Sequence, residues 1–283
     1  MEIFQMMMSK VQLRKTLMST IELSEKAGKK LIRFQKKIAT LEVNHKQALG
    51  VATEADVAVE NYIIKSLKAM HPEMDVLAEE NYYESFGNKK HAYKHYQEVP
   101  WCWIVDPLDG TNNFLSGLEY YGVCIALTHF GKPVLGVVHQ PATGETYYAI
   151  KEHGAFKAVP GKKPKKLTAA GKKLSNAMLA TGFATEKGKV FDREFALFKK
   201  LMGKSRGIRR MGSAALDLCL VAEGTFDGFW ETGLAPWDIA ASGLICSESG
   251  VQVTDYRGKE FHPFQETIVA ARKPLYFDLI KLV

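Results

Sequence analysis

The segment Trp103–Phe114 (WIVDPLDGTNNF) constrains the fold of this 283-residue chain more than any other. Its apolar start predicts a buried strand that ends at Asp106, because Pro107 has no N–H group to donate to a sheet. Asp109 follows shortly after and precedes Gly110, a residue typical of turns. We therefore predict that two carboxylates converge where a buried strand meets a turn.

This pair of carboxylates, with the main-chain carbonyl of Leu108, suits a hard divalent cation such as Mg²⁺, which prefers oxygen ligands. The segment carries no imidazole or thiolate, which disfavours zinc and copper. If a helix or turn begins at Gly110 and Thr111, their N–H groups are placed to bind a phosphate oxygen. Taken alone, the Asp-x-x-Asp-Gly pattern fits an ordinary β-turn equally well.

The periodicity of apolar residues predicts the elements around this segment. Two amphipathic helices come first, and the second begins after Thr53 and ends at His71. Short runs of β-forming residues then predict strands, with a polar excursion on the surface over Asn81–Glu98. Strands and helices alternate in the last third, which indicates an α/β (α+β) fold class. We predict an N-terminal α+β part over 1–160 that carries the metal site, and a C-terminal α/β part over 161–283 that completes it.

The charge and the cysteines narrow the class of protein. The 38 Lys and Arg residues exceed the 31 Asp and Glu residues by 7, which favours anionic ligands without choosing among them. The lysine-rich run Gly161–Lys166 fits a solvated turn better than a phosphate-binding patch. The four cysteines lack CxxC spacing, so we expect reduced, buried thiols. No apolar stretch is long enough to span a bilayer, and we expect a cytoplasmic protein without membrane contact.

Five segments in the same order resemble the inositol monophosphatase family, the Mg²⁺-dependent, lithium-sensitive phosphatases. They are Ala78-Glu79-Glu80, Asp106-Pro107-Leu108-Asp109-Gly110-Thr111, Arg209-Arg210-Met211-Gly212-Ser213-Ala214-Ala215, Glu231, and Trp237-Asp238-Ile239-Ala240-Ala241. The resemblance spans about Thr53 to Ala271. It implies a layered α-β-α-β-α sandwich of the sugar phosphatase and inositol monophosphatase type, and a homodimer.

The resemblance also implies a role for particular residues. Two or three Mg²⁺ ions would be held by Glu79, Asp106, the carbonyl of Leu108, Asp109 and Asp238. Thr111, assisted by Asp56, would orient and deprotonate the attacking water, and Glu79 would take part in catalysis through a water-bound third ion. The substrate would be contacted by Glu79, Leu108, Asp109, Gly110, Thr111, Gly212, Ser213, Ala214, Glu231 and Asp238.

Each of these assignments has a purely structural alternative. Asp56 stands three residues after Thr53, as the second member of a helix capping box does. Asp238 falls in the first turn of a predicted helix, where the helix dipole favours a carboxylate. Ser213 fits a helix N-cap, and Glu231 fits a charge at the end of a strand. Periodicity does not decide which of the adjacent glutamates at 79 and 80 faces the site, and the resemblance selects the first.

Two classes of function remain open from the sequence. The first is a phosphoric monoester hydrolase that cleaves inositol 1-phosphate or a related small sugar or polyol phosphate; 3′-phosphoadenosine 5′-phosphate, fructose 1,6-bisphosphate and NADP are alternative substrates. The second is a basic RNA-binding or protein-binding chain with a vestigial site, which the net charge motivates. Nucleic acid is the less favoured partner, because the chain lacks the interleaved aromatic and basic residues of an RNA-reading sheet.

Overall fold

The computed structural model describes residues 8–38, 43–45, 51–87, 92–183 and 188–283. The helices are α1 (Lys10–Gln35), α2 (Glu54–Met70), α3 (Glu79–Phe86), α4 (Tyr93–Glu98), α5 (Thr111–Leu115), α6 (Lys189–Met202), α7 (Ala214–Glu223), α8 (Pro236–Glu248) and α9 (Leu275–Leu279). The first strands are β1 (Val43–His45), β2 (Val51–Thr53), β3 (Asp75–Ala78), β4 (Trp101–Asp109), β5 (Gly122–His129), β6 (Lys132–Gln140) and β7 (Glu145–Ile150). The remaining strands are β8 (Ala155–Ala158), β9 (Lys165–Lys166), β10 (Met178–Thr181), β11 (Gly207–Arg209), β12 (Gly228–Thr232), β13 (Gln252–Thr254) and β14 (Thr267–Ala271).

Two large sheets form the framework. The seven-stranded sheet has the order β3-β4-β5-β6-β7-β8-β9, in which β3 and β4 are parallel and every later pair is antiparallel. The five-stranded sheet has the order β11-β10-β12-β14-β13, in which the first three strands are parallel. Strands β1 and β2 pair separately as an antiparallel ribbon.

The helices and the two large sheets stack in five layers, which pack against one another through three apolar clusters. Helices α1 and α2 cover one face of the seven-stranded sheet through the cluster that contains Leu31, Ile63 and Trp103. Helices α7 and α8 lie between the two sheets, where their residues pack with strand residues of both. Helices α6 and α9 cover the outer face of the five-stranded sheet. The layered α-β-α-β-α arrangement expected from the sequence is confirmed.

The second helix begins where the sequence predicts. Thr53 is the N-cap of α2, and its Oγ1 accepts hydrogen bonds from the N–H groups of Ala55 and Asp56. The Asp56 carboxylate accepts in return from the Thr53 N–H, at 2.9 Å, which completes a capping box. The helix ends at Met70, and the C-cap is His71, the residue before a proline.

One sequence expectation is wrong in this region. Strand β4 does not end at Asp106 but continues through Pro107 to Asp109. The pairing with β5 shifts register between Asp106 and Asp109, so the strand accommodates a proline that has no N–H group to donate. The excursion over Asn81–Glu98 lies between β3 and β4, and its described residues other than Tyr82 are partly or fully exposed, as predicted. The structure adds that these residues belong to α3 and α4, and that Tyr82 is buried to 2% exposure.

The lysine-rich run after β8 is exposed, as predicted, and its last two residues form the edge strand β9. All four cysteines are buried and unpaired, also as predicted. Among the described helices, none is both long and apolar enough to cross a bilayer.

Candidate active site

Three carboxylates from distant parts of the chain converge at one end of the seven-stranded sheet. Asp106 and Asp109 are among the last four residues of β4, and Asp238 lies in the first turn of α8. Each offers an oxygen within 4.8 Å of the others. Asp106 and Asp109 are buried, with 2% and 8% exposure, and Asp238 is half-buried. The sequence prediction that the two β4 carboxylates converge is confirmed, and α8 adds a third.

The burial and the mutual repulsion of these three carboxylates favour a bound cation. Burial raises the pKa of Asp106 well above its usual value, and the charges of Glu79, Asp109 and Asp238 raise it further. Burial also raises the pKa of Asp109 to about 6, although three hydrogen-bond donors on α7 and at its N-cap oppose the shift. Crowded, buried carboxylates of like charge with oxygen-only donors are the ligand set of a hard divalent cation. The residues therefore fit Mg²⁺.

Asp109 is held in place by the start of α7. Its Oδ2 accepts hydrogen bonds from the Ser213 Oγ at 2.5 Å and from the Ala215 N–H at 2.9 Å. Ser213 is the N-cap of α7, and its Oγ also accepts from the Leu216 N–H at 3.3 Å. The capping interpretation of Ser213 is thus confirmed, and the same hydroxyl contacts the acidic group.

Glu79 lies close to this group but is not one of the three residues within 4.8 Å. It is the first residue of α3, directly after β3, and its charge acts on both Asp106 and Asp109. The Glu60 carboxylate fixes this helix start, because its two oxygens accept the N–H groups of Glu80 and Asn81 at 2.7 and 2.8 Å. Of the two adjacent glutamates, Glu79 is thus the one whose charge acts on Asp106 and Asp109.

A hydroxyl and a carboxylate stand beside the acidic group. The Thr111 Oγ1 lies 3.2 Å from the Asp56 Oδ1 and 3.0 Å from the Leu108 carbonyl oxygen, and it can donate to either. The other oxygen of Asp56 belongs to the capping box with Thr53. The structural and chemical interpretations of Asp56 are therefore compatible, since each uses a different oxygen.

Gly110 allows the chain to turn tightly at this point. Its φ is +96°, and a Cβ there would lie 3.1 Å from the Tyr120 carbonyl oxygen and 3.3 Å from that of Gly212. Thr111 then begins α5. Only glycine combines this left-handed conformation with so close an approach of two other main-chain segments.

Residues that lie later in the chain, around the start of α7 and on β12, also approach the acidic group. Gly212 has a φ of +89° and precedes Ser213 and Ala214, the first residue of α7. Glu231 lies on β12 and is buried to 9% exposure, so it is not a solvent-facing charge at a strand end. Burial raises its pKa well above the usual value, and the charges of Asp238 and Asp217 raise it further. A Cβ at Gly182 would overlap its carboxylate, so the chain passes directly over this side chain.

A sequence model of the inositol monophosphatase family matches residues 12–282. The chain belongs to this family. It is 38% identical over 234 residues to an inositol-1-monophosphatase of Rhizobium meliloti, with 82% of each chain covered. It is also 34% identical over 263 residues to the Nus factor SuhB of Pseudomonas aeruginosa, with 91% of each chain covered.

Solved structures of family members have the same fold. The extragenic suppressor protein suhB from Bartonella henselae superposes with a TM-score of 0.82 at 31% identity, and 95% of this chain and 98% of that one are covered. The inositol monophosphatase of Thermotoga maritima superposes with a TM-score of 0.79 at 29% identity, over 95% and 96% of the two chains. Family membership supports a phosphatase and is consistent with a metal-dependent acidic site.

Sequence reasoning missed two residues beside the acidic group, Asp217 and Asn113. Asp217 is buried to 2% exposure on α7, and its Oδ1 accepts a hydrogen bond from the Tyr120 hydroxyl at 2.7 Å. Asn113 donates to the carbonyl oxygens of Tyr120 and Met211, both at 2.8 Å, and so joins two loops that border Gly110. The signal for Asp217 was present in the sequence, because it is a single charge within the apolar run LDLCLV.

Proposed function

We propose that this chain is a Mg²⁺-dependent phosphomonoesterase that hydrolyses inositol 1-phosphate or a related small sugar or polyol phosphate. The observation that carries the proposal is the convergence of Asp106, Asp109 and Asp238 within 4.8 Å, beside the Thr111 and Asp56 pair. Turns and caps explain each carboxylate separately, but they do not explain why all three lie within 4.8 Å of one another.

In this proposal Asp106, Asp109 and Asp238, with Glu79 and the Leu108 carbonyl, hold two or three Mg²⁺ ions. When bound, Mg²⁺ neutralises the charge of a phosphate dianion and lowers the pKa of a coordinated water. The protein's own contribution is to keep these oxygens in fixed positions. Ser213 and the N-terminus of α7 do this for Asp109, and the Ala235 N–H, which donates to Asp238 Oδ2 at 2.7 Å, does it for Asp238.

Thr111 and Asp56 are proposed to orient the attacking water. The Thr111 hydroxyl that donates to Asp56 Oδ1 leaves its own oxygen lone pairs free to accept from a water. Asp56 Oδ1 is then the atom that receives the proton through Thr111, while Oδ2 stays in its capping box. The rigid start of α2 keeps this pair at a constant distance from β4.

The proposed substrate contacts come from two stretches of chain beside the acidic group, one at Gly110 and one that runs from Gly212 to Glu231. The N–H groups of Gly110 and Thr111 are proposed to bind phosphate oxygens. Gly212, Ser213 and Ala214 lie in the second stretch, and the buried Glu231 carboxylate is proposed to accept a hydrogen bond from a substrate hydroxyl. This contact would favour polyol substrates. A leaving group without a hydroxyl would leave the buried Glu231 carboxylate without a hydrogen-bond donor, and such a substrate would bind less well.

The test is a screen of phosphate release over a panel of monoesters with and without Mg²⁺. Inositol 1-phosphate, fructose 1,6-bisphosphate, 3′-phosphoadenosine 5′-phosphate and NADP represent the alternatives. We expect release that requires Mg²⁺, with the highest kcat/KM on inositol 1-phosphate. Release from 3′-phosphoadenosine 5′-phosphate that is about tenfold more efficient would move the assignment to another substrate class. No Mg²⁺-dependent release from any monoester would overturn the proposal.

We further propose a cytoplasmic homodimer, sensitive to lithium, in line with the family resemblance. Sedimentation velocity measures the assembly directly, and a monomer at micromolar concentration would contradict it.

A binding role is the second candidate, and the names of relatives favour testing it. The Pseudomonas aeruginosa protein and one from Neisseria meningitidis are named Nus factors or putative Nus factors. The net charge of +7 is compatible with an anionic partner. A salt-dependent gel shift with RNA, together with no phosphate release, would favour this role over the phosphatase. Phosphate release with no gel shift would favour the phosphatase and would count against nucleic acid as a partner.

A further inference from the structure

We call the group formed by Asp106, Asp109 and Asp238 the acidic pocket, and a cluster of four aromatic side chains borders it. We call Tyr82 and Tyr83 on α3, Tyr93 on α4 and Trp237 on α8 the aromatic cluster. Tyr82 stacks on Tyr93 with 4.7 Å between ring centroids and 26° between planes. All three tyrosine rings also lie against Trp237, at 5.6, 5.4 and 6.1 Å for Tyr82, Tyr83 and Tyr93. Tyr82 and Trp237 are each only 2% exposed, so the contacts are within the core.

The cluster joins the two helices that carry the outer carboxylates of the site. Tyr83 follows Glu79 by one turn on α3, so both side chains lie on the same helix face. Trp237 immediately precedes Asp238 on α8. Burial raises the pKa of Tyr83, and the charges of Glu79 and Asp238 raise it further, as expected of a hydroxyl that lies next to both carboxylates.

These two carboxylates need such a connection. Glu79 comes from the N-terminal part and Asp238 from the C-terminal part, and Glu79 is outside the group within 4.8 Å. Their charges repel, and hydrogen bonds from main-chain N–H groups hold the start of each helix. Aromatic packing links the two helices, because three rings of α3 and α4 contact one indole of α8.

We propose that the aromatic cluster is a positioning device that sets the distance between Glu79 and Asp238 and thereby the affinity of the site for divalent cations. The inference rests on the proposed function in one respect, namely that these carboxylates hold Mg²⁺. The four aromatic residues act through the two carboxylates, as outer residues commonly act on metal ligands.

The experiment compares Tyr82→Leu with Tyr82→Phe. Tyr82 is suitable because its ring both stacks on Tyr93 and contacts Trp237. Leucine removes the stacked ring, and phenylalanine keeps it. The matched control is Tyr148→Leu, which removes a ring stacked on Phe156 at 5.7 Å on the seven-stranded sheet, away from the pocket.

Mg²⁺ affinity by isothermal titration calorimetry is the main readout, with kcat at saturating Mg²⁺ as the second. We expect Tyr82→Leu to weaken Mg²⁺ binding about tenfold or more, with a smaller effect on kcat once the site is filled. Tyr82→Phe and Tyr148→Leu should bind Mg²⁺ within about twofold of the unaltered chain. Thermal unfolding by circular dichroism verifies that each variant is folded.

If Tyr82→Leu does not fold, Tyr93→Leu replaces it, because Tyr93 is only half-buried and contacts both Tyr82 and Trp237. Unchanged Mg²⁺ affinity in a folded leucine variant would overturn the inference and leave the proposed function intact. A loss in Tyr82→Phe as large as that in Tyr82→Leu would also overturn it, since the hydroxyl and not the ring would then matter. If the unaltered chain binds no Mg²⁺, the proposed function fails, and the inference fails with it.

Discussion

Single side chains in this site serve the fold and the chemistry at once. One oxygen of Asp56 closes a capping box while the other faces Thr111. The Ser213 hydroxyl caps α7 and also donates to Asp109. The hydrogen bonds that cap the two helices therefore also hold Asp56 and Asp109 in place.

Asp106 is the residue whose replacement separates stability from activity. Asp106→Asn keeps the size of the side chain and the acceptor for the Leu108 N–H, but it removes a buried charge that repels its neighbours. We expect kcat/KM for Mg²⁺-dependent phosphate release to fall about a thousandfold or more. The thermal midpoint without Mg²⁺ should be equal to or higher than that of the unaltered chain.

Asp192→Asn is the matched control, because Asp192 is exposed in the first turn of α6. It should leave activity unchanged. Activity retained by Asp106→Asn would remove the central ligand from the proposed site.

At the scale of elements, the crossing of α8 over β6 determines where Asp238 lies. Gly136 is the point of closest approach, since a Cβ there would lie 2.7 Å from the carbonyl oxygen of Ala241 on α8. That neighbour is main chain in the middle of a helix and cannot move alone. The glycine therefore allows a helix that carries a ligand to rest directly on the sheet.

Gly136→Ala should therefore destabilise the chain and displace α8. We expect a loss of about 1–3 kcal/mol in the free energy of unfolding, measured with urea, and weaker Mg²⁺ binding. Gly203→Ala is the control, because Gly203 has a helical φ of −73° and its Cβ would meet no atom closer than 3.8 Å. Equal stability of the two variants would show that α8 is not held by this contact.

The packing of α1 on β6 predicts a dependence of stability on pH. His139 on β6 is 4% exposed beneath Gly28 of α1, and burial lowers its pKa from 6.5 to about 4. The unfolded chain therefore binds a proton at higher pH than the folded chain does. The contribution of His139 is complete above pH 6.5 and is lost as the pH falls toward 4.

Urea unfolding of the unaltered chain and of His139→Gln at pH 7 and pH 4.5 measures this contribution. The unaltered chain should lose about 2 kcal/mol more than the variant over this range. Buried carboxylates contribute equally to both proteins and cancel in the comparison. Equal losses would mean that His139 is protonated inside the fold.

At the scale of the whole molecule, the two sheets are joined through a shared core and through the acidic pocket. Residues of both sheets and of α7 and α8 form one apolar cluster. The pocket takes Asp106 and Asp109 from β4 and Asp238 from α8. A cation bound there contacts both parts of the chain, so its binding free energy adds to the stability of the whole.

Mg²⁺ should accordingly raise the unfolding midpoint of the entire chain in a single transition. At a concentration ten times the dissociation constant, the gain is about 1.4 kcal/mol. Differential scanning calorimetry with Mg²⁺ or with a chelator measures it, and Asp106→Asn should abolish the shift. Two transitions, of which only one responds to Mg²⁺, would mean that the pocket does not couple the parts.

Local patterns in the sequence were sufficient for much of this description. The capping box at Thr53, the apolar run before Asp106 and the five segments of the family resemblance predicted α2, the buried course of β4 and the layered fold. Such signals act over a few residues, where periodicity and hydrogen-bond geometry dominate. They did not predict the burial of Tyr82, because that burial depends on an indole that lies more than 150 positions away.

The sequence by itself determined which residue types could bind a cation and which elements would carry them, because propensity and spacing are local properties. Only the tertiary structure decided that Asp238 joins the two β4 carboxylates within 4.8 Å, that Glu79 stands further out, and that Asp217 and the aromatic cluster border the pocket. These distances depend on how closely helices cross sheets at positions such as Gly136, and that is a property of packing among residues distant in the chain.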